Sequence, residues 1–194
     1  MAEVLRLASA EDPVISRVEI ARRVGELGLH YSELYEDVDE ILLIAVLRGG
    51  GMFAADLMRE IQHPNIVYDD MRVRTRNGVV SESPTAITDP EESLRDRHIL
   101  LVEDIRDTKR TLSLITRRFA SHNPASVNIT AVLDKPVKHE SHEVVADSIQ
   151  IGFTITDAFA IGYGLDYKGR FRNLPHVTTC EFDSDGNSHP AVAA

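Results

Sequence analysis

The sequence predicts a single α/β domain built on an open, mostly parallel β-sheet, and three observations predict it. Long aliphatic segments alternate with amphipathic ones along the chain. The first aliphatic segment is continuous rather than alternating and ends in three glycines, which is typical of a strand buried on both faces. The composition, with 194 residues of which 43% are hydrophobic, is that of one ordinary globular domain. Alternating strands and helices in such a chain favour right-handed crossovers within one sheet.

The first half of the chain contains a strand, a glycine turn and a helix in succession. Apolar residues recur at three-residue steps over 16–29 and predict an amphipathic helix. The aliphatic run 41–47 predicts the buried strand, and the apolar positions after its glycines predict a second helix that stops before Pro64. Residues 74–90 lose periodicity and gather Gly, Ser, Pro and charge, so we expect a long flexible loop there.

The second half repeats the alternation of strands and helices. Further strands are predicted over 66–73, 98–102, 127–133 and 148–153, with a short last one within 175–182. A polar loop over 103–110 precedes a helix that starts at Thr111. We expect one domain over 1–182 and a disordered tail over 183–194, because the tail is polar and has no apolar period.

Charge and cysteine content narrow the classes of partner and compartment. The chain has 21 Lys and Arg against 31 Asp and Glu, a formal net charge of −10, which disfavours a nucleic-acid partner. Cys180 is the single cysteine and allows no disulfide within the chain, so the cytoplasm is the expected compartment. No secretory signal pattern or apolar run of ~18 residues is present, so we expect no membrane association.

The segment with the clearest chemistry follows the third long aliphatic strand and reads VEDIRDTKRT over 102–111. Glu103 and Asp104 come to the carboxyl edge of the sheet, where open α/β folds bind ligands, and they suit a sugar diol or a hydrated Mg²⁺. Asp107 precedes a helix start whose amides, Thr hydroxyls and cations suit a phosphate monoester. From these residues alone a second interpretation is equally open, in which Asp107 caps the helix and the two acids are solvated loop residues.

Four ordered motifs resemble the hypoxanthine-guanine phosphoribosyltransferases, a family of type I phosphoribosyltransferases of purine salvage. They are LRGGGMFAADL at 47–57, VEDIRDTKRT at 102–111, VLDKP at 132–136 and the segment 152–175. The resemblance covers roughly 18–177 and implies the type I phosphoribosyltransferase fold, a mostly parallel central sheet flanked by helices with a small hood. It also implies a homodimer or homotetramer.

The resemblance implies a Mg²⁺-dependent transfer of the 5-phosphoribosyl group from phosphoribosyl pyrophosphate (PRPP) to N9 of a 6-oxopurine such as hypoxanthine or guanine. Asp107 is the implied catalytic residue, beside purine N7. The implied PRPP-binding residues are Leu47, Arg48, Gly49, Glu103, Asp104, Asp107, Thr108, Lys109, Arg110 and Thr111. The implied purine-binding residues are Lys135, Phe159 and Ala160. The implied pyrophosphate ligands are Arg48 and Arg172, and the implied metal ligands are Glu103, Asp104 and Asp166. In the family the turn at Leu47 often contains a cis peptide.

Several of these residues have an ordinary structural interpretation when each is taken singly. Lys135 is then a surface lysine in a turn, Phe159 a core residue and Arg172 the partner of a surface acid. Their joint occurrence in the family's order favours the site.

Two positions depart from the family pattern. Lys109 stands where the family carries glycine or another small residue, and a positive φ there costs a lysine on the order of 1 kcal/mol, although its ammonium can compensate by binding the phosphate. The Ser-Tyr pair of the family's mobile loop is missing, and Arg74, Thr75 and Arg76 stand in the matching stretch. These arginines either clamp pyrophosphate or the lid is lost.

The departures keep two alternatives open. One is the same chemistry on a modified purine, such as a 7-deazapurine in a specialised biosynthetic pathway. A 7-deazapurine lacks N7, so Asp107 could not act on it unchanged. The other is a non-catalytic regulator of the same fold that senses PRPP or nucleotides.

Overall fold

The computed structural model describes residues 14–75, 84–182 and 188–190. Its helices are α1 (Arg17–Leu34), α2 (Gly50–Glu60) and α3 (Arg110–Ala120). Its strands are β1 (Ile41–Leu47), β2 (Ile66–Thr75), β3 (Pro84–Thr88), β4 (His98–Arg106), β5 (Ser126–Asp134), β6 (Ser148–Thr154), β7 (Phe159–Ile161), β8 (Thr178–Phe182) and β9 (Ser188–Pro190). Among these residues no helix combines the length and apolar character needed to cross a bilayer.

The main sheet has six strands in the order β3-β2-β1-β4-β5-β6. All neighbours are parallel except β3, which runs antiparallel to β2. A separate antiparallel sheet of β7, β8 and β9 forms the hood, and the bridge between Ile15 and Val177 joins it to the segment before α1. The predicted mostly parallel sheet with a small hood is therefore confirmed.

Strand β1 explains where the core lies, because it is buried on both faces. Leu43 and Ala45 belong to a cluster that α1 and α2 cover, whereas Leu42 and Ile44 belong to a second cluster that α3 covers. All four side chains have no exposed surface. A strand between two apolar layers must be apolar at every position, which is the pattern that predicted it.

Helix α1 begins at a capping box, in which the Ser16 hydroxyl accepts from the Glu19 backbone N–H and the Glu19 carboxylate accepts from the Ser16 backbone N–H. The helix ends at Leu34, five residues beyond the predicted 29. Tyr31 and Tyr35 account for the extra length, because both are buried and donate to the carbonyls of Ile129 and Ile99 at 3.2 and 3.3 Å.

Two sequence expectations about the strands were wrong, and one short strand was not foreseen. The expected loop over 74–90 contains β3, since the antiparallel ladder from Arg72–Thr88 onward satisfies its backbone; residues 76–83 of that loop lie outside the described residues. Strand β4 continues through the expected loop start to Arg106, because β5 pairs with it as far as Asp134. Strand β7 was not predicted, as three residues are too few for a periodic pattern.

The tail expected over 183–194 is described at Ser188–Pro190 alone. These three residues pair antiparallel with β8, which differs from the expected disorder. The rest of that tail lies outside the described residues.

Candidate active site

The turn between β1 and α2 fits closely against the end of β4. The peptide bond Leu47-Arg48 is cis, as the family resemblance implies, and Arg48 is exposed. A Cβ at Gly49 would lie 1.4 Å from Asp104 Oδ2, and one at Gly50 would lie 2.7 Å from the Val102 carbonyl oxygen. Only glycines allow this approach, so the turn predicted to hold pyrophosphate lies directly against the acid pair.

Glu103 and Asp104 form a shielded pair of carboxylates at the carboxyl edge of the sheet. Glu103 is 7% exposed and Asp104 is half-buried, so the interpretation as solvated loop acids was wrong. Burial, and then the neighbouring Asp104, raise the pKa of Glu103 well above its usual range. Burial also raises the pKa of Asp104, although the positive charge of Arg172 is among the influences that lower it. Two such groups hold a proton between them or require a cation.

Asp107 lies past the end of β4 and does not cap α3. The residue at the N-cap position is Lys109, and no side chain caps the helix there. Asp107 Oδ1 is buried and has no hydrogen-bond partner among the described residues. An unsatisfied buried acceptor is costly, so this oxygen is suited to an N–H or O–H of a ligand.

The segment from Thr108 to Thr111, which we predict to be the phosphate cradle, leads from the end of β4 into the first turn of α3. Lys109 adopts φ 68° and ψ −3°, so the positive φ that the glycine of the family pattern suggests is present. The Thr108 hydroxyl accepts from the Arg110 backbone at 3.4 Å, and Thr111 is half-buried in the first turn of α3. The predicted cradle therefore has a lysine in a left-handed conformation at the position where the family pattern has glycine.

The residues expected around the purine lie at the ends of β5 and β7. Lys135 follows β5 and is 7% exposed, so it is not a surface lysine in a turn. Phe159 is 37% exposed, which excludes the core interpretation, and its ring meets the edge of Tyr167 at 5.8 Å between centroids. Ala160 is buried and pairs with Thr179 in the hood sheet.

The segment after β7 brings Asp166 and Arg172 over the Gly49 turn. Gly164 has φ +99°, and a Cβ there would lie 2.2 Å from the Gly49 carbonyl oxygen. Arg172 pairs with Asp166 at 2.5 Å and also donates to the Gly164 carbonyl. Asp166 Oδ2 accepts from the Gly169 backbone at 2.6 Å. Arg172 thus does pair with an acid, as the ordinary interpretation has it, but that acid belongs to the expected site.

The expected metal ligands fall into two places, because the resemblance assigns Asp166 to a second Mg²⁺ and not to the one beside Glu103 and Asp104. Among the described residues no group of three or more Asp, Glu, His or Cys side chains forms a cation site. Arg74 and Thr75 end β2, and Arg76 lies outside the described residues.

Sequence reasoning missed one set of polar contacts beside the site. Arg106 donates to both carboxylate oxygens of Asp134, at 2.7 and 2.9 Å, and His139 contacts the same carboxylate at 2.8 Å. The available signal is Arg106 itself, a charged residue next to the acid motif where a buried strand ends.

A mostly parallel sheet with a glycine turn, a shielded acid pair and a left-handed turn into a helix at one edge is the arrangement expected of a phosphoribosyltransferase. The comparison with known protein families supports this class, since the family described as phosphoribosyl transferase domain matches residues 19–168. More particularly, the chain belongs to the hypoxanthine-guanine phosphoribosyltransferase family within the type I phosphoribosyltransferases.

Curated relatives and solved structures support this placement. The chain is 38% identical over 167 residues to the hypoxanthine phosphoribosyltransferase of Salmonella typhimurium, covering 84% of this chain and 92% of that one. It is 37% identical over 168 residues to the hypoxanthine-guanine phosphoribosyltransferase of Bacillus subtilis, covering 86% and 91%.

Two solved structures extend the comparison to three dimensions. A hypoxanthine-guanine phosphoribosyltransferase of Bacillus anthracis aligns with a TM-score of 0.77 at 31% identity, covering 87% of this chain and 97% of that one. A Trypanosoma cruzi hypoxanthine phosphoribosyltransferase in complex with the product IMP aligns with a TM-score of 0.77 at 28% identity, covering 92% and 97%.

Proposed function

We propose that this protein transfers the 5-phosphoribosyl group of PRPP to N9 of a 6-oxopurine, hypoxanthine or guanine, and releases pyrophosphate. The observation that carries the proposal is the buried, unpartnered Oδ1 of Asp107 beside the acid pair and the phosphate cradle. Family membership and the names of the relatives support the same reaction.

Three groups of residues bind different parts of PRPP. The amides of the α3 start, with Thr108, Lys109, Arg110 and Thr111, bind the 5-phosphate of PRPP. Glu103 and Asp104 face the ribose hydroxyls and accept their hydrogen bonds. Leu47, Arg48 and Gly49 hold the pyrophosphate from one side and Arg172 from the other.

The purine is bound by residues from three segments. Lys135 donates to the 6-oxo group, Phe159 stacks on the ring with its exposed surface and Ala160 offers backbone groups to the base edge. Asp107 accepts the N7 proton while N9 attacks the ribose. As the C1–O bond of PRPP breaks, positive charge develops on the ribose and negative charge on the leaving group, and Arg48 and Arg172 stabilise the latter.

Magnesium fits the acid pair. Mg²⁺ is commonly held by one or two carboxylates together with substrate phosphates, and Glu103 and Asp104 are two adjacent, shielded carboxylates. Asp166 would hold a second Mg²⁺, since each of its oxygens accepts one hydrogen bond and keeps a lone pair. Bound Mg²⁺ would neutralise charge on the pyrophosphate.

The two alternatives have less support. A 7-deazapurine carries a C–H in place of N7 and would leave the buried Oδ1 of Asp107 unsatisfied. A sensor needs no such oxygen beside the base, and the relatives are named as phosphoribosyltransferases.

Arg74, Thr75 and Arg76 would clamp pyrophosphate in place of the family's Ser-Tyr pair.

We further propose a cytoplasmic homodimer or homotetramer. Val18 and Leu29 are 77% and 57% exposed. They lie about three turns apart on one face of α1, where a second copy could cover them. Sedimentation analysis of the protein tests the oligomeric state.

A base panel tests the function directly. The protein is incubated with PRPP, Mg²⁺ and hypoxanthine, guanine, xanthine, adenine or 7-deazahypoxanthine, and pyrophosphate release is measured. Release with hypoxanthine or guanine is expected. Release with the deaza analogue alone would favour the specialised pathway. Binding of PRPP without release for any base, together with electrophoretic retention of RNA or DNA, would favour the sensor.

A further inference from the structure

Three polar side chains hydrogen-bond to one another next to Asp107 and Lys135, the two residues proposed to bind the purine edge. Arg106 Nε donates to Asp134 Oδ1 at 2.7 Å and Nη2 to Oδ2 at 2.9 Å. His139 Nε2 donates to Asp134 Oδ1 at 2.8 Å. Asp134 is 4% exposed, and both of its carboxylate oxygens have partners. We call these three residues the Arg106 network.

The network joins the ends of two neighbouring strands. Arg106 is the last residue of β4 and directly precedes Asp107, while Asp134 is the last residue of β5 and directly precedes Lys135. The Lys135 backbone N–H donates to the Arg106 carbonyl at 3.0 Å. One arginine therefore holds the Lys135 segment by both its backbone and its side chain.

The turn after Lys135 is tied to the same carboxylate. Pro136–Lys138 form a short 3₁₀ helix, and His139 closes it with a backbone bond to Pro136 and a side-chain bond to Asp134. The backbone of Ile155, the residue after β6, donates to the Asp134 carbonyl at 2.9 Å, so the end of β6 is also bound to Asp134. Lys135 thus lies in a segment fixed before and after it.

The charges of the network are satisfied internally. Burial opposes ionisation of Asp134, but hydrogen bonds from Arg106 and His139 outweigh it and hold the pKa of Asp134 below its ordinary value. A bidentate pair fixes the orientation of both groups more strictly than a single contact does. Buried ion pairs of this kind contribute more to geometry than to net stability.

We propose that Arg106, Asp134 and His139 are positioning residues that fix the Asp107 carboxylate relative to the Lys135 ammonium, and so set the fit of the purine N7 and 6-oxo edge. The inference rests on the proposed function, which assigns these two groups to the base. None of the three residues is assigned a contact with PRPP. Base binding should therefore depend on the network more strongly than PRPP binding does.

Arg106→Met tests the network, because it removes the planar fork and keeps a long apolar stem. We expect the KM for hypoxanthine to rise roughly tenfold, as when a residue that orients a site group is lost. The KM for PRPP should stay within about twofold. Arg106→Lys should recover only part of the loss, since an ammonium cannot make two parallel bonds.

A matched control lies on the outer face of the molecule. Arg118 of α3 also pairs with a carboxylate, that of Asp89, through Nε and Nη2, and both side chains are 47% exposed. Arg118→Met removes a bidentate pair remote from the base and should leave both KM values unchanged. Equal increases in the two KM values for Arg106→Met, or no increase, would overturn the inference.

His139 supplies a milder pair of variants if Arg106→Met fails to fold. Its side chain is 20% exposed. His139→Leu should raise the KM for hypoxanthine about threefold, and His139→Gln should restore it because an amide still donates to Asp134. Unchanged KM in His139→Leu would refute the network's role. Wild-type protein that releases no pyrophosphate with any base would instead contradict the proposed function itself.

Discussion

Replacing Lys109 separates its backbone conformation from its charge. The residue holds φ 68° and ψ −3°, a left-handed conformation that costs a residue with a Cβ about 1 kcal/mol relative to glycine. We therefore expect Lys109→Gly to stabilise the protein by about 1 kcal/mol. At this chain length that is a rise in Tm of about 2–4 °C.

Lys109→Ala is the matched variant, because alanine keeps the Cβ and removes the ammonium. Its Tm should equal that of the wild type within about 1–2 °C. If the ammonium binds the 5-phosphate, both variants lose affinity for PRPP by about tenfold, the equivalent of one charge-assisted hydrogen bond. Calorimetric titration with PRPP and Mg²⁺ measures the affinity, and thermal unfolding measures the stability.

The two measurements can fail independently. A Tm that falls in Lys109→Gly would show that the left-handed conformation is not costly in this loop. Undiminished PRPP affinity in both variants would show that the lysine is tolerated without binding phosphate. Loss of affinity in Lys109→Gly alone would mean that the glycine loosens the cradle.

Three further substitutions have defined outcomes. Gly49→Ala places a Cβ 1.4 Å from Asp104 Oδ2, so its free energy of unfolding, measured in urea, should fall by about 1–3 kcal/mol. In the control Gly51→Ala the Cβ meets only the end of the Leu47 side chain at 3.1 Å, so stability should be unchanged. Equal losses of stability in the two variants would contradict the close fit at Gly49. Asp107→Asn should lower kcat while PRPP affinity measured by calorimetry changes little; equal losses would indicate a structural role. Because burial raises the pKa of Glu103, ionising this carboxyl at neutral pH destabilises the folded protein. Glu103→Gln should therefore raise the Tm at neutral pH in metal-free buffer, and this gain should vanish below about pH 4.3, where the carboxyl is protonated in both folded and unfolded protein. A gain in Tm that does not depend on pH would refute this cause.

The sheet could be predicted because its signal is local. Strand β1 is apolar at every position and ends at glycines, and these features follow from its place between two layers. Strand β3 could not be predicted, because its backbone bonds to β2 organise a polar segment without periodicity. The extension of β4 to Arg106 likewise depends on pairing with β5, which no pattern within 103–106 reveals.

The site divides in the same way. The position of the acid pair at the end of β4 and the positive φ of Lys109 follow from one contiguous motif and its likeness to a family, whereas phosphate binding by that motif stays a prediction. The roles assigned to Phe159 and Arg172 remain predictions, although the structure leaves Phe159 37% exposed and brings the charge of Arg172 to bear on Asp104. The pairing of Arg106 with Asp134 joins residues 28 positions apart, and only the register of β4 and β5 brings them together.

The three cations within the motif contribute unequally to binding an anion. Arg106 is held by Asp134, and Arg110 Nε donates to Glu140 Oε2 at 2.8 Å, which holds the pKa of Glu140 below its usual range. The Lys109 carbonyl accepts from the Ser113 backbone at 2.9 Å, but its ammonium makes no hydrogen bond or ion pair among the described residues. We therefore expect the ammonium of Lys109 and the amides of α3 to supply most of the attraction for a phosphate, whereas loss of Arg110 would also release the carboxylate of Glu140 beside it. Lys109→Ala removes attraction alone, and this is why that position, rather than either arginine, reports whether the predicted cradle binds phosphate.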